Sequence, residues 1–241
     1  MNIKITKPDN KESKLLKVWH ISDTHGFHNL LDIPEVDMVI HSGDASNYRD
    51  IYRNQPEFDE FLHWYKQIPI KYKIFVGGNH DTALEKNLFD VKQKMKEMGI
   101  IYLENSDVTI EGIKIWGSPH TPQFGNWAFM KARQKLDKVW KTIPDDTDVI
   151  VVHGPPRGIM DSSFNFNSYI ERCGCNALKK RVLRIEPKLF LSGHIHNNKG
   201  IINAGVLKLS EYGTIFSNGS VVTDGEFGLL SSNGNIFEID L

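Results

Sequence analysis

The fold is decided by residues 17–44, which read KVWHISDTHGFHNLLDIPEVDMVIHSGD. Two largely apolar segments, residues 15–21 and residues 37–41, supply the apolar parts of this stretch. The first runs directly into Asp-Thr-His and the second into Ser-Gly-Asp. Short apolar runs of this kind are typical of strands that are buried on both faces of a sheet. The stretch therefore predicts two buried strands, each followed by acidic or imidazole side chains.

Three more apolar segments repeat this pattern further along the chain. Residues 73–76 run into Gly-Gly-Asn-His-Asp, residues 149–152 into His-Gly, and residues 189–191 into Ser-Gly-His-Ile-His. Apolar residues at helical spacing predict helices over residues 58–65, 88–98 and 129–140. Strands that alternate with helices indicate an α/β fold, and such folds build their sites beyond the carboxyl ends of the strands.

Composition excludes several classes of protein. Of the 241 residues, 40% are hydrophobic and 24% are charged, which is the balance of a globular chain. The net charge of −1 gives no basic surface of the kind that holds a nucleic acid duplex.

We interpret residues 1–241 as a single domain. No apolar run approaches the roughly 18 residues of a membrane span, and residues 1–17 lack the apolar core of a secretory signal, so a soluble cytoplasmic protein is expected.

The polar residues after the five segments form a candidate metal-binding set. Each motif alone is common in ordinary loops, but five of them in order, each after a strand, indicate one site. Residues two apart on an extended segment point the same way, so each Asp-x-His or His-x-His motif can present two ligands to one cavity. The candidate ligands are Asp23, His25, Asp44, Asn79, His153, His194 and His196. Seven oxygen and nitrogen donors are too many for one ion, whereas two ions about 3.5–4 Å apart would use them all.

The ordered motifs resemble those of the calcineurin-like metallophosphoesterases. They are Asp-Thr-His at 23–25, Gly-Asp at 43–44, Gly-Asn-His-Asp at 78–81, His-Gly at 153–154 and Gly-His-Ile-His at 193–196. The segments Phe-Gly-Asn-Trp-Ala-Phe at 124–129, His-Gly-Pro-Pro at 153–156 and Cys-Gly-Cys at 173–175 are similar to the metallophosphoesterase-domain-containing (239AB-type) branch. The resemblance covers residues 17–222.

The resemblance implies an α/β architecture of four layers, an αββα sandwich with two mixed β-sheets. It also implies a dinuclear metal centre, in which Asp44 bridges the two ions. The first ion would be held by Asp23, His25 and His196, and the second by Asn79, His153 and His194. A hydroxide held between the ions would attack phosphorus in line, and His80 would protonate the departing oxygen. Asp81 is expected to orient His80 or tune its charge.

Charge favours a phosphodiester over a phosphomonoester as the substrate. Two divalent ions, two carboxylates and one hydroxide leave roughly +1 at the centre, which a singly charged diester neutralises. Related protein phosphatases offset the second charge of a monoester with arginines in a Gly-Asp-x-x-Asp-Arg-Gly block. Residues 43–49 read Gly-Asp-Ala-Ser-Asn-Tyr-Arg and lack both that second Asp and the adjacent Arg. The sequence therefore predicts a phosphodiesterase for small substrates, cyclic nucleotides among them.

Two further residues are candidates for substrate binding. Arg157 follows the His-Gly-Pro-Pro motif and could reach a phosphate, the alternative being an ordinary surface arginine. His120 stands where the branch has an aromatic residue and could line the substrate pocket, the alternative being a surface histidine. The metals are expected to be manganese, with iron, nickel and zinc accepted by the same donors.

Other functions are compatible with the same motifs. A phosphomonoesterase, a nuclease or a nucleotide pyrophosphatase could use the same dinuclear site, and nucleic acid enters only as a substrate. A non-catalytic scaffold of this fold is the alternative from another class, but scaffolds typically lose metal ligands and every one is present here. The expected partner is a small phosphodiester, no membrane is expected, and the chain could form a homodimer.

Overall fold

The computed structural model describes residues 2–5, 15–224 and 228–241. Within these residues the strands, in chain order, are β1 (Asn2–Ile5), β2 (Leu15–Ile21), β3 (Met38–His41), β4 (Tyr72–Phe75), β5 (Ile100–Tyr102), β6 (Ser106–Ile110), β7 (Ile113–Ser118), β8 (Thr121–Pro122), β9 (Met130–Lys131), β10 (Val149–Val152), β11 (Ser162–Phe164), β12 (Ile170–Arg172), β13 (Leu189–Ser192), β14 (Gly205–Lys208), β15 (Ile215–Asn218) and β16 (Asn235–Asp240). The helices are α1 (Ile51–Gln67), α2 (Thr82–Lys86), α3 (Leu88–Glu97), α4 (Arg133–Trp140) and α5 (Asn176–Ile185), with a 3₁₀ turn at Phe27–Leu30.

The first six-stranded sheet has the order β1-β16-β2-β3-β4-β5. Strands β2 to β5 run parallel, and β16 pairs antiparallel with β2. Every residue of β3 is buried, as expected for a parallel strand that is covered on both faces. Because the parallel strands end at one edge of the sheet, the loops after β2, β3 and β4 lie side by side.

The second six-stranded sheet has the order β14-β15-β13-β10-β7-β6. Its central strands β7, β10, β13 and β15 are parallel, while β6 and β14 pair antiparallel at the two edges. The antiparallel pair of β6 and β7 is a hairpin that turns at Glu111 and Gly112, both with positive φ. Both sheets are therefore mixed.

Three apolar cores separate four layers. Val18 of β2 and Ile40 of β3 face the second sheet and pack with its residues, Val151 among them. Trp19 of β2 and Val39 of β3 point the other way and pack against the aromatic face of α1. A third core joins the second sheet to α4 and α5. The order helix, sheet, sheet, helix confirms the predicted αββα sandwich.

The loops of the two sheets meet at their carboxyl ends. The ring of His153, after β10 of the second sheet, donates from Nδ1 to the Ser42 carbonyl, after β3 of the first, at 2.8 Å. Ser22, after β2, pairs with Ser220, after β15. The five polar segments of the sequence are thereby brought to one place.

Two expectations about single segments have different outcomes. The helix predicted over residues 129–140 begins only at Arg133, because Phe129 has a positive φ and Met130–Lys131 pairs with β8. The expectation that residues 1–17 carry no secretory signal falls mostly on residues 1 and 6–14, outside the described residues. In the part of the chain that is described, no helix has the length and apolarity needed to cross a bilayer.

Candidate metal centre

The candidate ligands fall into two groups of three. Within each group the ligand atoms lie within 4.8 Å of one another. The first group contains Asp23, His25 and His196, and the second contains Asp44, His153 and His194. The shortest contacts are 3.0 Å between His196 Nε2 and Asp23 Oδ1 and 3.2 Å between His153 Nε2 and Asp44 Oδ2. The ligand atoms of each group therefore point toward one common position.

Asp44 lies between the two groups. Its Oδ2 atom is 3.2 Å from His153 Nε2 in its own group and 3.9 Å from His25 Nε2 in the other. Its Oδ1 atom instead accepts the backbone N–H of His80 at 2.7 Å. Asn79 adds a further donor to the second group, since its Oδ1 lies 3.0 Å from His153 Nε2. Carboxylate, amide oxygen and imidazole donors around two adjoining points fit two divalent transition-metal ions.

Backbone hydrogen bonds fix which imidazole nitrogen can bind a metal. His25 Nδ1 lies 2.9 Å from the Ser46 carbonyl, and His153 Nδ1 lies 2.8 Å from the Ser42 carbonyl. A carbonyl only accepts, so each Nδ1 carries the proton and leaves Nε2 with its lone pair in the neutral ring. Both Nε2 atoms point toward Asp44. The rings are therefore set in the tautomer that a metal needs.

Four candidate ligands have left-handed backbone conformations. The φ angles are 54° at Asp23, 43° at His25, 59° at Asp44 and 68° at His194. Non-glycine residues seldom adopt such angles, each of which costs of order 1–3 kcal/mol and persists where surrounding structure enforces it. Such strain clusters at functional sites. Its occurrence at four of the seven candidate ligands indicates that these loops are shaped for the side chains they present.

The charges of the ligands are strongly perturbed by burial and by one another. Burial lowers the pKa of His25 to about 4 and, together with His153, that of His194 to about 3. Burial opposes protonation of His153 too, but the Asp44 carboxylate outweighs it and raises the pKa of His153 to about 9. Asp23 and Asp224 likewise outweigh burial at His196, whose pKa rises to about 10. Without metal, the carboxylates are thus neutralised by protonated imidazoles, and metal binding would release those protons.

His80 lies at the edge of the first group. Its ring is 4.8 Å from the His25 ring and 4.5 Å from the Trp127 ring, between centroids. Its Nδ1 lies 2.8 Å from the Asn47 carbonyl, so Nδ1 is the donor and Nε2 is the atom left to act. His80 also lines a cleft of about 550 Å³ with His25 and His196. A group leaving the metal centre on this side would meet His80.

Asp81 makes contacts that differ from the expected ones. Its carboxylate accepts four backbone N–H groups, those of Asp44, Ala45, Ser46 and Gly78, at 2.7–3.1 Å. Burial and the nearby Asp44 charge raise its pKa to about 7. The carboxylate thus holds the loop that carries Asp44 rather than the His80 ring, which is bonded to Asn47. The expectation that Asp81 orients the His80 ring by a hydrogen bond is therefore corrected, while tuning of the His80 charge by Asp81 stays a prediction.

The two candidate substrate residues have different surroundings. His120 is buried, with Nδ1 3.0 Å from the Phe129 carbonyl and Nε2 3.2 Å from Asn105 Nδ2. Because the ring is buried, the surface interpretation of His120 is wrong, while its place in a substrate pocket stays a prediction. Arg157 is partly exposed and lines a cleft next to His194. Its position is compatible with substrate binding.

Three residues at the site were missed from the sequence. Asp224 accepts from His196 Nδ1 at 2.9 Å, and Ser220 donates its hydroxyl proton to Asp23 at 2.7 Å. Trp127 packs on His80 and is itself covered by the Arg49 guanidinium at 5.0 Å. Trp127 stood in a motif of the resemblance, so its presence was a usable signal. Asp224 and Ser220 follow β15 in a segment with no recognisable motif.

A two-sheet αββα sandwich with two adjoining His/Asp groups at the strand ends defines the metallophosphoesterase class. The family model of calcineurin-like phosphoesterases matches residues 16–198. The chain belongs to this family, as its motifs predicted.

Curated relatives and solved structures agree with this assignment. A UPF0046 protein of Caenorhabditis elegans is 32% identical over 213 residues, which cover 83% of this chain and 70% of that protein. Metallophosphoesterase domain-containing protein 1 of Homo sapiens is 31% identical over 226 residues, covering 84% of this chain and 65% of that protein. This chain therefore spans about two thirds of the length of these relatives.

Two solved structures share the fold at low sequence identity. The protein TT1561 of Thermus thermophilus has a TM-score of 0.57 at 11% identity, over 94% of this chain and 99% of that one. Phosphopantetheinyl hydrolase of Mycobacterium tuberculosis has a TM-score of 0.55 at 15% identity, over 85% of this chain and 89% of that one. At such identities the likeness concerns the fold alone.

Proposed function

We propose that this protein is a metal-dependent phosphodiesterase for small phosphodiesters, cyclic nucleotides among them. The observation that carries the proposal is the position of Asp44, whose Oδ2 lies 3.2 Å from His153 of its own ligand group and 3.9 Å from His25 of the other. When bound, two divalent ions would activate water as the nucleophile and neutralise charge on the phosphoryl oxygens. Manganese is the metal we expect, and the cytoplasm is the expected location.

The residues around the ions would have separate roles in metal binding and proton transfer. Asp23 and Asp44 would hold and neutralise the ions, while carbonyl hydrogen bonds keep His25 and His153 in the metal-binding tautomer. His80 would protonate the departing oxygen from Nε2. Since Nδ1 keeps its proton for the Asn47 carbonyl, this role requires the doubly protonated ring.

Charge supports a diester as the substrate. The two ligand groups contain two carboxylates, which with two ions and one hydroxide leave roughly +1. A singly charged diester cancels this charge, whereas a doubly charged monoester leaves an excess. Arg49, in the segment where phosphatases carry their arginine, covers Trp127 and donates to the Asn126 carbonyl. Its guanidinium is therefore engaged with the Trp127 loop.

Hydrolysis of two nitrophenyl esters tests the proposal. The protein is stripped with a chelator and reloaded singly with Mn²⁺, Ni²⁺, Zn²⁺ or Mg²⁺, and bis(p-nitrophenyl) phosphate is compared with p-nitrophenyl phosphate. We expect strong turnover of the diester and little of the monoester. Preference for the monoester would contradict the charge argument, and no turnover of either ester with any metal would contradict the enzymatic proposal.

A further inference from the structure

A second cleft adjoins the second ligand group. Its volume is about 700 Å³, and His194 of that group lines it. Arg133, Arg157 and Arg172 also line this cleft, the last in the β11–β12 hairpin. Of these three arginines, only Arg157 was a candidate from its sequence motif, and their grouping emerges from the fold.

Two of the three guanidinium groups, those of Arg133 and Arg157, are held by backbone carbonyls without a paired carboxylate. Arg133 donates to the carbonyls of Gly174 and Cys173 at 2.9 and 3.0 Å, and Arg157 donates to the Arg172 carbonyl at 2.6 Å. Among the described residues, neither Arg133 nor Arg157 forms an ion pair with a carboxylate.

Among the residues that the structure describes, two carboxylates are found close to these three positive charges. Arg172 pairs with the buried Asp161 at 3.0 Å, and Glu171 also lines the cleft. Three guanidinium groups against two carboxylates leave the cleft positive. Arginines that are fixed by backbone carbonyls and keep free N–H groups are well suited to bind a phosphate or carboxylate.

Aromatic side chains line the same cleft. Phe124 and His194 have ring centroids 5.5 Å apart, and Phe124 is 64% exposed. Phe164 and Phe166, on and beside the hairpin, are also exposed and face the cleft. Exposed phenylalanines grouped around a cavity mark a surface that a ligand covers, and their faces favour a planar ring.

The two clefts adjoin different ligand groups. The one with His25, His80 and His196 contains the proposed proton donor, beside which the leaving group would depart. The arginine cleft adjoins His194 instead. A diester that spans the centre would therefore place its leaving group by His80 and its other substituent in the arginine cleft.

We propose that the cleft between His194 and Arg157 binds the substituent that stays on phosphorus, and that this substituent carries a planar ring and a second anionic group. The inference rests on the proposed phosphodiesterase function and narrows its substrate class. A cyclic diester without a second charge would leave the arginines unused.

Three substrates with the same leaving group test the inference. They are bis(p-nitrophenyl) phosphate, thymidine 5′-(p-nitrophenyl phosphate), and the latter ester with an added 3′-phosphate. We expect the 3′-phosphate to raise kcat/KM about tenfold or more over the unphosphorylated thymidine ester, through a lower KM. Equal kcat/KM values for the two thymidine esters would overturn the inference and leave the phosphodiesterase function intact.

Substitutions in the cleft test whether the advantage of the 3′-phosphate depends on its arginines. Arg157→Gln and Arg133→Gln should each remove the advantage of the 3′-phosphate, so that the two thymidine esters are hydrolysed with equal kcat/KM. Arg184→Gln, at an exposed arginine of α5, is the matched control and should preserve the advantage. An advantage that survives in both cleft variants would contradict the proposed site.

Binding to the metal-free protein separates the two proposals. Thymidine 3′,5′-bisphosphate should bind more tightly than thymidine 5′-monophosphate in calorimetry, and Arg157→Gln should abolish the difference. This result would support the cleft even if no ester were hydrolysed, which would count against the phosphodiesterase function alone. Equal affinities for the two nucleotides would overturn the cleft.

Discussion

Asp224 contacts a candidate metal ligand, His196, from outside the ligand groups. Its carboxylate accepts from His196 Nδ1 at 2.9 Å, while His196 Nε2 faces Asp23. Partners of this kind fix the ring of a metal-binding histidine, and their loss typically weakens metal affinity 10–100-fold. We expect Asp224→Asn to weaken one of two Mn²⁺ sites by such a factor, measured by titration of metal-stripped protein.

The control for Asp224→Asn is Asp137→Asn, which alters an exposed aspartate paired with Lys141 on α4. It should bind two ions with unchanged affinity. If Asp224→Asn also bound both ions as the unmodified protein does, Asp224 would have no orienting role.

His80 can be tested by the basicity of the leaving group. An alkoxide needs a proton to depart, whereas nitrophenolate leaves readily without one. His80→Ala should therefore lower kcat about 10²- to 10⁴-fold for an alkyl diester but less than tenfold for bis(p-nitrophenyl) phosphate. His63→Ala, at an exposed histidine on α1, serves as control and should change neither rate. Equal losses on both substrates would remove His80 from the role of acid.

Residue types and spacing could predict the ligand groups but not their supports. The ligands follow strands in short motifs, so their convergence was accessible from the sequence. Asp81 could not be interpreted correctly because three of its four partners are backbone N–H groups at residues 44–46, which no side-chain pattern reveals. His120 is similar, since its partners Asn105 and Phe129 come from separate loops.

At the scale of elements, apolar strands were predicted well and one helix start was not. The five apolar segments became β2, β3, β4, β10 and β13, because continuous burial leaves a clear signal. The apolar pattern over residues 129–140 is real, but the Phe129 N–H donates to the Glu85 side chain at 2.7 Å and its φ is positive. The contact between Phe129 and Glu85 thus prevents the helix from starting at residue 129, where the apolar periodicity had placed its start.

The turn after β13 requires glycine at position 193, because it has no room for a Cβ atom. A Cβ atom at Gly193 would lie 1.9 Å from Ser22 Oγ and 2.2 Å from Asp23 Oδ2. Gly193→Ala should therefore displace the β2 loop and lower the free energy of unfolding by about 1–3 kcal/mol or more, measured by urea denaturation. It should also weaken metal binding, since Asp23 must move.

Gly213→Ala provides the comparison for Gly193→Ala. A Cβ atom there would meet nothing within 4 Å, and we expect a change of less than about 0.5 kcal/mol. Equal stability of the two variants would show that the turn after β13 tolerates a side chain.

At the scale of the whole molecule, the pairing of two sheets was accessible only through the family resemblance. Strand order depends on contacts between distant segments, such as β2 with β16, that no local pattern specifies. His20 joins the sheets directly, since its Nδ1 lies 2.7 Å from Ser217 Oγ of β15 and its Nε2 lies 3.0 Å from Ser42 Oγ after β3. The ring is completely buried.

This buried ring makes the stability of the sandwich depend on pH. Burial lowers the pKa of His20 from 6.5 to about 3, with Asp23 opposing the shift. Between those values the unfolded chain binds a proton that the folded chain does not, so stability falls as pH falls, by about 1.4 kcal/mol per pH unit. In chelator, unfolding free energies at pH 7, 6 and 5 should fall less steeply for His20→Gln than for the unmodified protein. His63→Gln, at an exposed ring, should retain the original slope, and an equally steep fall in His20→Gln would show that another group causes the acid sensitivity.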